Sequence, residues 1–351
     1  MDITQSNYIF FISLVTTFIF SGYFLSNLSI RFKYFNDHNN EIQKIHTKKS
    51  TRLGGLSILI TFYFILFFKL ENNYSSTFLI VALPFFIIGF IEDLTNKLSV
   101  SVRFILLLFA SAIPVLFSGF IISEVEIGFI NNFLKIPTFS IVFTVLGIAA
   151  VANSWNFIDG LNGFSSGTAL IIIFFLSYIS HNEGLIALSE LLYILGQVVF
   201  GFWVVNLIFG NIFLGDSGAY FLGFFIALSG IEISNKSENI SAWLIMFIIV
   251  YPATELLFTI FRRLYSFKSP FKADNKHLHS LLYLLVIKQN LKLSKTYINS
   301  LCGIICMILS AMPLVISIIF DLTYIGIIQG ILIFFCLYFL FYVTLNSLKK
   351  Y

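Results

Sequence analysis

Five polar strings interrupt an otherwise apolar chain, and each holds residue types that could do chemistry. The run Lys48-Lys49-Ser50-Thr51-Arg52-Leu53-Gly54-Gly55 reads either as a cationic rim for a phosphorylated substrate or as a basic membrane anchor followed by glycines for helix packing. Next comes Gly89-Phe90-Ile91-Glu92-Asp93-Leu94, with Ser99 and Arg103 after it. Adjacent carboxylates repel each other and are costly to desolvate at a membrane boundary, so they call for a cation or a proton-transfer role. The plainer alternative is a solvated helix end. In Asn153-Ser154-Trp155-Asn156-Phe157-Ile158-Asp159-Gly160-Leu161-Asn162-Gly163, Asn153, Asn156 and Asp159 recur every three residues. On a helix that spacing stacks two amides and a carboxylate on one face, oxygen donors that suit a hard cation such as Mg²⁺. The string Gly210-Asn211-Ile212-Phe213-Leu214-Gly215-Asp216-Ser217-Gly218 offers glycines beside a helix amino terminus, where N–H groups favour anions, but it is also a fair turn and N-cap. In Asp274-Asn275-Lys276-His277-Leu278-His279 the two histidines stand at i and i+2 and share no helix face, which disfavours a two-histidine zinc site. Phosphate donors and solvated loop residues remain equally open for them.

The elements that must position these strings are membrane helices. The chain has 351 residues, 58% hydrophobic and 11% charged, whereas soluble chains carry about 25% charged residues. Its 44 phenylalanines are spread along the whole length, so the expectation is one all-α, polytopic membrane domain over 1–351, with no nucleic-acid partner. Cys302, Cys306 and Cys336 sit in late apolar segments with no metal-ligand spacing and read as packing or lipid-facing residues. About 20 apolar residues make a span, and eleven candidates follow: 7 to 28, 53 to 70, 76 to 91, 104 to 122, 138 to 153, 164 to 181, 188 to 208, 219 to 233, 240 to 261, 298 to 319 and 323 to 346. The first has Asp2 before it in place of a basic cluster and is expected to be a retained helix. Eleven crossings place all of the 21 Lys and Arg except Lys69, Lys135 and Lys236 on one side. The positive-inside rule then puts the amino terminus outside, and the carboxyl terminus and all five strings in the cytoplasm. The polar stretch 262–297, with the histidines, is expected to be a partly helical cytoplasmic loop.

Taken in order, the strings resemble the polyprenyl-phosphate N-acetylhexosamine-1-phosphate transferases, a family that includes initiating enzymes of bacterial surface polysaccharides and, more distantly, phospho-MurNAc-pentapeptide translocase. The likeness runs from the Arg-x-Gly-Gly entry at Arg52, through the acidic pair, the Asn-x-x-Asn-x-x-Asp-Gly string and the Gly-Asp-x-Gly string, to the His-x-His segment. It implies an enzyme that moves a sugar 1-phosphate from a UDP-sugar to undecaprenyl phosphate with release of UMP. It also implies a plasma-membrane location, Mg²⁺ with Mn²⁺ as substitute, and room for a homodimer. By resemblance Asn156 and Asp216 match metal-binding positions, Glu92 and Asp93 the acidic pair near the attacking phosphate, and Asp159 an essential acid. Asn162 matches a uracil-recognising position, Lys48 and Lys49 the nucleotide rim, and His277, His279 and Arg52 phosphate contacts. The family's usual Asp-Asp is here Glu92-Asp93, and Asn275 and Ser280 replace the Arg and final His often found in its histidine string. The loop also lacks the three consecutive histidines of the translocase, which favours the polysaccharide branch over it. A secondary transporter is the alternative from another class, but its site should lie near the bilayer centre. Here only Glu255, beside Pro252, lies well inside an expected span.

Overall fold

A backbone in lipid must satisfy its own hydrogen bonds, which leaves helices as the elements for apolar runs of this length. The computed structural model describes residues 51–69, 73–270, 274, 276–320 and 323–348, together with Thr17. The expected span 7 to 28 and the pair Lys48 and Lys49 lie outside the described residues. Among the described residues the chain is all-α, in the order α1 (Gly54–Lys69), α2 (Asn73–Thr95), α3 (Val100–Ser118), α4 (Gly128–Leu134), α5 (Pro137–Ile158), α6 (Phe164–Asn182) and α7 (Ile186–Phe209). Then come α8 (Gly215–Lys236), α9 (Ala242–Ile248), α10 (Val250–Tyr265), α11 (Leu278–Lys288), α12 (Lys295–Ile319) and α13 (Tyr324–Leu348).

Eight of these helices are long and apolar enough to cross a membrane, nine if α9 and α10 form one span, so the chain is a multi-pass membrane protein. The expected span at 53 to 70 forms α1, whose 16 residues reach about 24 Å at ~1.5 Å per residue, short of a hydrocarbon layer about 30 Å thick. The span expected at 240 to 261 is broken, with α9 and α10 meeting at 76°. Pro252 accounts for the break, because it has no N–H to give and its ring clashes with the carbonyl four residues back, at Ile248. The polar stretch after α10 is partly helical, as expected, and contains α11. The short α4, in the connection between α3 and α5, was not expected.

Buried along most of its length, α8 is the axis of the bundle and packs against α1, α2, α5 and α6. Phenylalanines fill the seams: Phe85 stacks on Phe224 at 4.3 Å, and Phe62 meets Phe225 edge-on at 5.6 Å. By contrast α13 is mostly exposed, as a lipid-facing helix would be. Ser99 starts α3 by accepting from Val102 N at 3.3 Å, and Pro137 opens α5, where a missing N–H costs nothing.

Candidate active site

A buried helix start leaves its first N–H groups without partners inside the helix. At the start of α8 those partners come from other strings. Asp93, near the end of α2, accepts from Asp216 N through Oδ1 and from Ser217 N through Oδ2, both at 2.9 Å. The N–H of Gly215 faces the Asp159 carboxyl and favours its charged form. Gly215 has a φ of +76°, and a Cβ there would lie 2.6 Å from Asp93 Oδ2, so both the turn and the close approach require glycine.

Cations balance part of this charge. The Asp216 carboxylate is ion-paired with Arg103 on α3 and receives the Tyr220 hydroxyl at 3.5 Å. Arg103 also lies 3.9 Å from Glu92 Oε1, while Glu92 Oε2 accepts from Leu98 N at 2.8 Å and fixes the α2–α3 turn. Arg52 donates to Asn96 Oδ1 at 3.1 Å, and its charge acts on Asp159 and Glu92. The first and fourth strings run side by side through Thr51 N to Asn211 O at 3.1 Å and Phe213 N to Thr51 O at 2.8 Å. Burial first, then the Asp216 charge, pushes the Asp159 carboxyl up to about 7, against the pull of Arg52 and the Gly215 N–H.

Asp93, Asp159 and Asp216 therefore converge at the start of α8, and Glu92 joins them through Arg103. α5 stops at Ile158, and Asp159 follows as its cap with φ −83° and ψ 65°, so the every-third-residue row through Asn153 and Asn156 reaches the end of the helix at Asp159. Asn156 stays on the last turn of α5, half-exposed, one turn before Asp159. Asn162 is buried at 1% exposure against α12: its N–H donates to Asn299 Oδ1 at 2.7 Å and its Nδ2 to Ser300 Oγ at 3.3 Å. Among the described residues no three His, Cys, Asp or Glu side chains form a ready-made metal cage.

The histidines come to the same end of the bundle. His277 is extended (φ −75°, ψ 151°) and caps α11, so its ring and that of His279 lie parallel, 3° apart in tilt with centroids at 5.4 Å, although i and i+2 share no helix face. The edge of Phe157 meets His277 at 5.6 Å. His279 lies over Gly160, where an added Cβ would sit 2.1 Å from its Nε2. Burial and the neighbouring His277 push His279 down to about 3, so it is neutral. Asp274 ties down the preceding segment by pairing with Arg262, which holds its carboxyl below the usual range despite burial.

Arg103 and Tyr338 are among the participants that the sequence did not single out. Arg103 was noted only as a neighbour of the acidic pair, although a guanidinium one turn into an apolar helix is itself a signal of a nearby acid. Tyr338, bonded to Glu255, carried no signal at all.

A bundle of spanning helices with acids, amides and guanidinium groups gathered at one end is a multi-pass membrane enzyme. Residues 75–234 match the model of glycosyl transferase family 4. A protein named "Probable undecaprenyl-phosphate N-acetylglucosaminyl 1-phosphate transferase" from Bacillus subtilis (strain 168) is 27% identical over 274 residues, covering 77% of this chain and 75% of that protein. The undecaprenyl-phosphate alpha-N-acetylglucosaminyl 1-phosphate transferase of Thermotoga maritima is 29% identical over 237 residues, 68% of this chain and 69% of that one. A phospho-N-acetylmuramoyl-pentapeptide-transferase of Clostridium kluyveri is 30% identical over 216 residues, 58% of this chain and 68% of that one. The chain belongs to glycosyl transferase family 4.

Proposed function

We propose that this chain transfers a sugar 1-phosphate, N-acetylhexosamine 1-phosphate by preference, from a UDP-sugar to undecaprenyl phosphate and releases UMP, as the first step of a cell-envelope or surface glycan. The observation that carries this reading is the meeting of Glu92, Asp93, Asp159 and Asp216 with Arg52 and Arg103 around the start of α8. The names of the Bacillus and Thermotoga relatives support the lipid acceptor and the sugar. An oxygen of the lipid phosphate bonds to the phosphorus that carries the sugar. The bond from that phosphorus to the bridging oxygen breaks, and the bridging oxygen leaves on UMP. Such an exchange asks the protein mainly for alignment and charge neutralisation.

The donor set suits a hard divalent cation, because Mg²⁺ takes one or two protein oxygens and shares the rest with water and substrate phosphates. Four acidic side chains gathered with two guanidinium groups offer oxygen ligands to it, and its charge would draw the Asp159 carboxyl, pushed up to about 7 by burial, toward its ionised form. Asp216 and Asn156 would hold Mg²⁺, or Mn²⁺ in its place, and the bound cation would neutralise and orient the pyrophosphate oxygens. Asp93 keeps the α8 start in register with both of its oxygens, and that engagement favours direct attack by the lipid phosphate over an aspartyl intermediate. Glu92 holds Arg103 and the α2–α3 turn, and Asp159 holds Gly215. Arg52 and His277 supply donors to phosphate oxygens, with neutral His279 packed beside His277. Asn162 orders the loop between α5 and α6, and its effect on the nucleotide runs through that loop. Lys48 and Lys49, by the resemblance, would add positive charge for the nucleotide phosphates. Lys97 and Arg103 border the α2–α3 connection, and Arg262, Arg263, Lys268 and Lys288 lie at the end of α10 and in the segment after it, at the same end of the bundle as the site, which supports a cytoplasmic site in the plasma membrane.

The test is UMP release by purified protein given undecaprenyl phosphate and a panel of UDP-sugars that includes UDP-MurNAc-pentapeptide. Release with a UDP-N-acetylhexosamine supports the proposal. Release with the pentapeptide substrate alone moves the chain to the translocase branch, and no release with any donor refutes it.

A further inference from the structure

An ionised carboxylate inside a membrane-spanning bundle is costly unless it is paired and hydrogen-bonded. Glu255 is 0% exposed, sits on α10 just beyond the 76° break, and has no part in the transfer as derived above. Three donors close on it. His277 Nδ1 lies 2.9 Å from Oε1, the Tyr338 hydroxyl 2.6 Å from Oε2, and Leu278 N 3.4 Å from Oε1. They come from the histidine segment and from α13, so one buried acid ties three parts of the fold together. Tyr338 is itself packed edge-on against Phe258 at 5.4 Å and Tyr251 at 6.0 Å, which leaves its hydroxyl little freedom to turn away.

The two nitrogens of an imidazole lie on opposite sides of the ring, and the partner of one decides the protonation and direction of the other. A carboxylate on Nδ1 fixes the ring, favours a proton on Nδ1 and stabilises the imidazolium. The far side of the His277 ring then faces away from Glu255. The His277 and His279 rings lie parallel, and the pair is packed against Phe157 and Gly160, the residues on either side of the Ile158–Asp159 step. Burial keeps His279 neutral, and His277 is the member of the pair with a carboxylate on Nδ1.

We propose that Glu255, braced by Tyr338, is the positioning residue of His277: it holds Nδ1–H in a buried hydrogen bond and so aims Nε2 at a phosphate oxygen of the substrate, to which Nε2 donates when the ring carries both protons. The phosphate rests on the transfer reading given above; the Glu255–His277 bond does not.

The test uses the full chain purified in detergent as wild type, Glu255→Gln, His277→Gln, the double variant and Tyr338→Phe. Residues that act as one unit are non-additive when removed together. Glu255→Gln should lower kcat by about 10- to 100-fold with little change in KM, the usual effect of losing a carboxylate behind a functional imidazole. The double variant should fall no further than His277→Gln alone. The second readout does not depend on turnover. With ¹⁵N-labelled imidazoles, the signal that His277→Gln removes from the chain's 5 histidines should report a protonated, hydrogen-bonded Nδ1 in wild type and should shift in Glu255→Gln. Losses that multiply in the double variant, together with an unshifted signal, would overturn the proposal and leave Glu255 a packing residue. Should Glu255→Gln fail to accumulate, Tyr338→Phe decides: a shifted His277 signal supports the proposal, and an unshifted one overturns it. A wild type inactive with every donor would sink the transfer reading, and the imidazole signal would still judge the Glu255–His277 pair.

Discussion

Replacing Gly89 by alanine tests whether the contact between α2 and the start of α8 sets the site. A Cβ at Gly89 would lie 2.3 Å from Ser217 N and 2.4 Å from both Asp216 C and Ser217 Cα. These are backbone atoms, so no side-chain rotation relieves the clash. Ordinary carbon contacts lie at ~3.5 Å or more, so the two helices must part by about 1 Å. The displaced peptides carry the two N–H groups that Asp93 holds at 2.9 Å, and an opening of that size takes both bonds past the ~3.2 Å limit of a good hydrogen bond. Overpacking should cost about 1–3 kcal/mol of stability. The rate should fall by roughly 100-fold, the scale on which a ~1 Å misplacement acts. UMP release per milligram of protein and melting in detergent are the two measurements. The matched control is Gly147→Ala, whose Cβ would meet Ile122 Cδ1 at 3.7 Å, an ordinary contact. It should be silent, or more stable by up to about 1 kcal/mol from helix propensity. A Gly89→Ala enzyme with wild-type rate and melting temperature would refute the reasoning.

Chelation by EDTA should abolish UMP release and added Mg²⁺ or Mn²⁺ restore it, since oxygen donors favour hard cations; full activity in chelator would remove the metal from the scheme. Asp216→Asn should lower the rate about 100-fold or more, the scale of losing one electrostatic stabiliser, with partial rescue by excess Mg²⁺. If Asp216 were only a helix cap, Asn would cap as well and the rate would hold. Direct attack by the lipid phosphate requires that labelled UMP not exchange into the UDP-sugar in the absence of undecaprenyl phosphate, and exchange in that assay would point to a covalent intermediate instead.

The spans were legible because lipid demands apolar runs of fixed length, and the five strings stood out because polar groups in such a chain need a reason. What sequence reading missed arises where one local rule overrides another. Hydropathy sees 240 to 261 as continuous, but Pro252 removes a helix bond and the chain bends by 76°. The every-third-residue pattern through Asp159 gives no sign of where the helix ends, and α5 stops at Ile158, ahead of Gly160 and of Gly163 with its φ of +73°. The i, i+2 spacing separates two histidines on a helix, but His277 lies outside α11, and an extended residue there places its ring alongside that of His279. Arg103 with Asp216, and Tyr338 with Glu255, are pairings between residues far apart in the chain. Nothing local in either member specifies the other.

The start of α8 shows why these acids gather at a helix end and not at mid-membrane. A helix buried along most of its length cannot leave its first N–H groups to water, and an apolar neighbour cannot satisfy them. Carboxylates can, and the helix dipole favours negative charge there. Asp93 and the Asp159 carboxyl meet that demand from two other elements, while Asp216, in the first turn of α8, is held by Arg103. The contacts that complete the helix start are therefore the same ones that assemble the acidic group. A transporter would need its charges near the bilayer centre, between repeats. Glu255, the acid placed deep in a span, is instead bonded to the histidine segment beside Asp159, which joins it to that same end of the bundle.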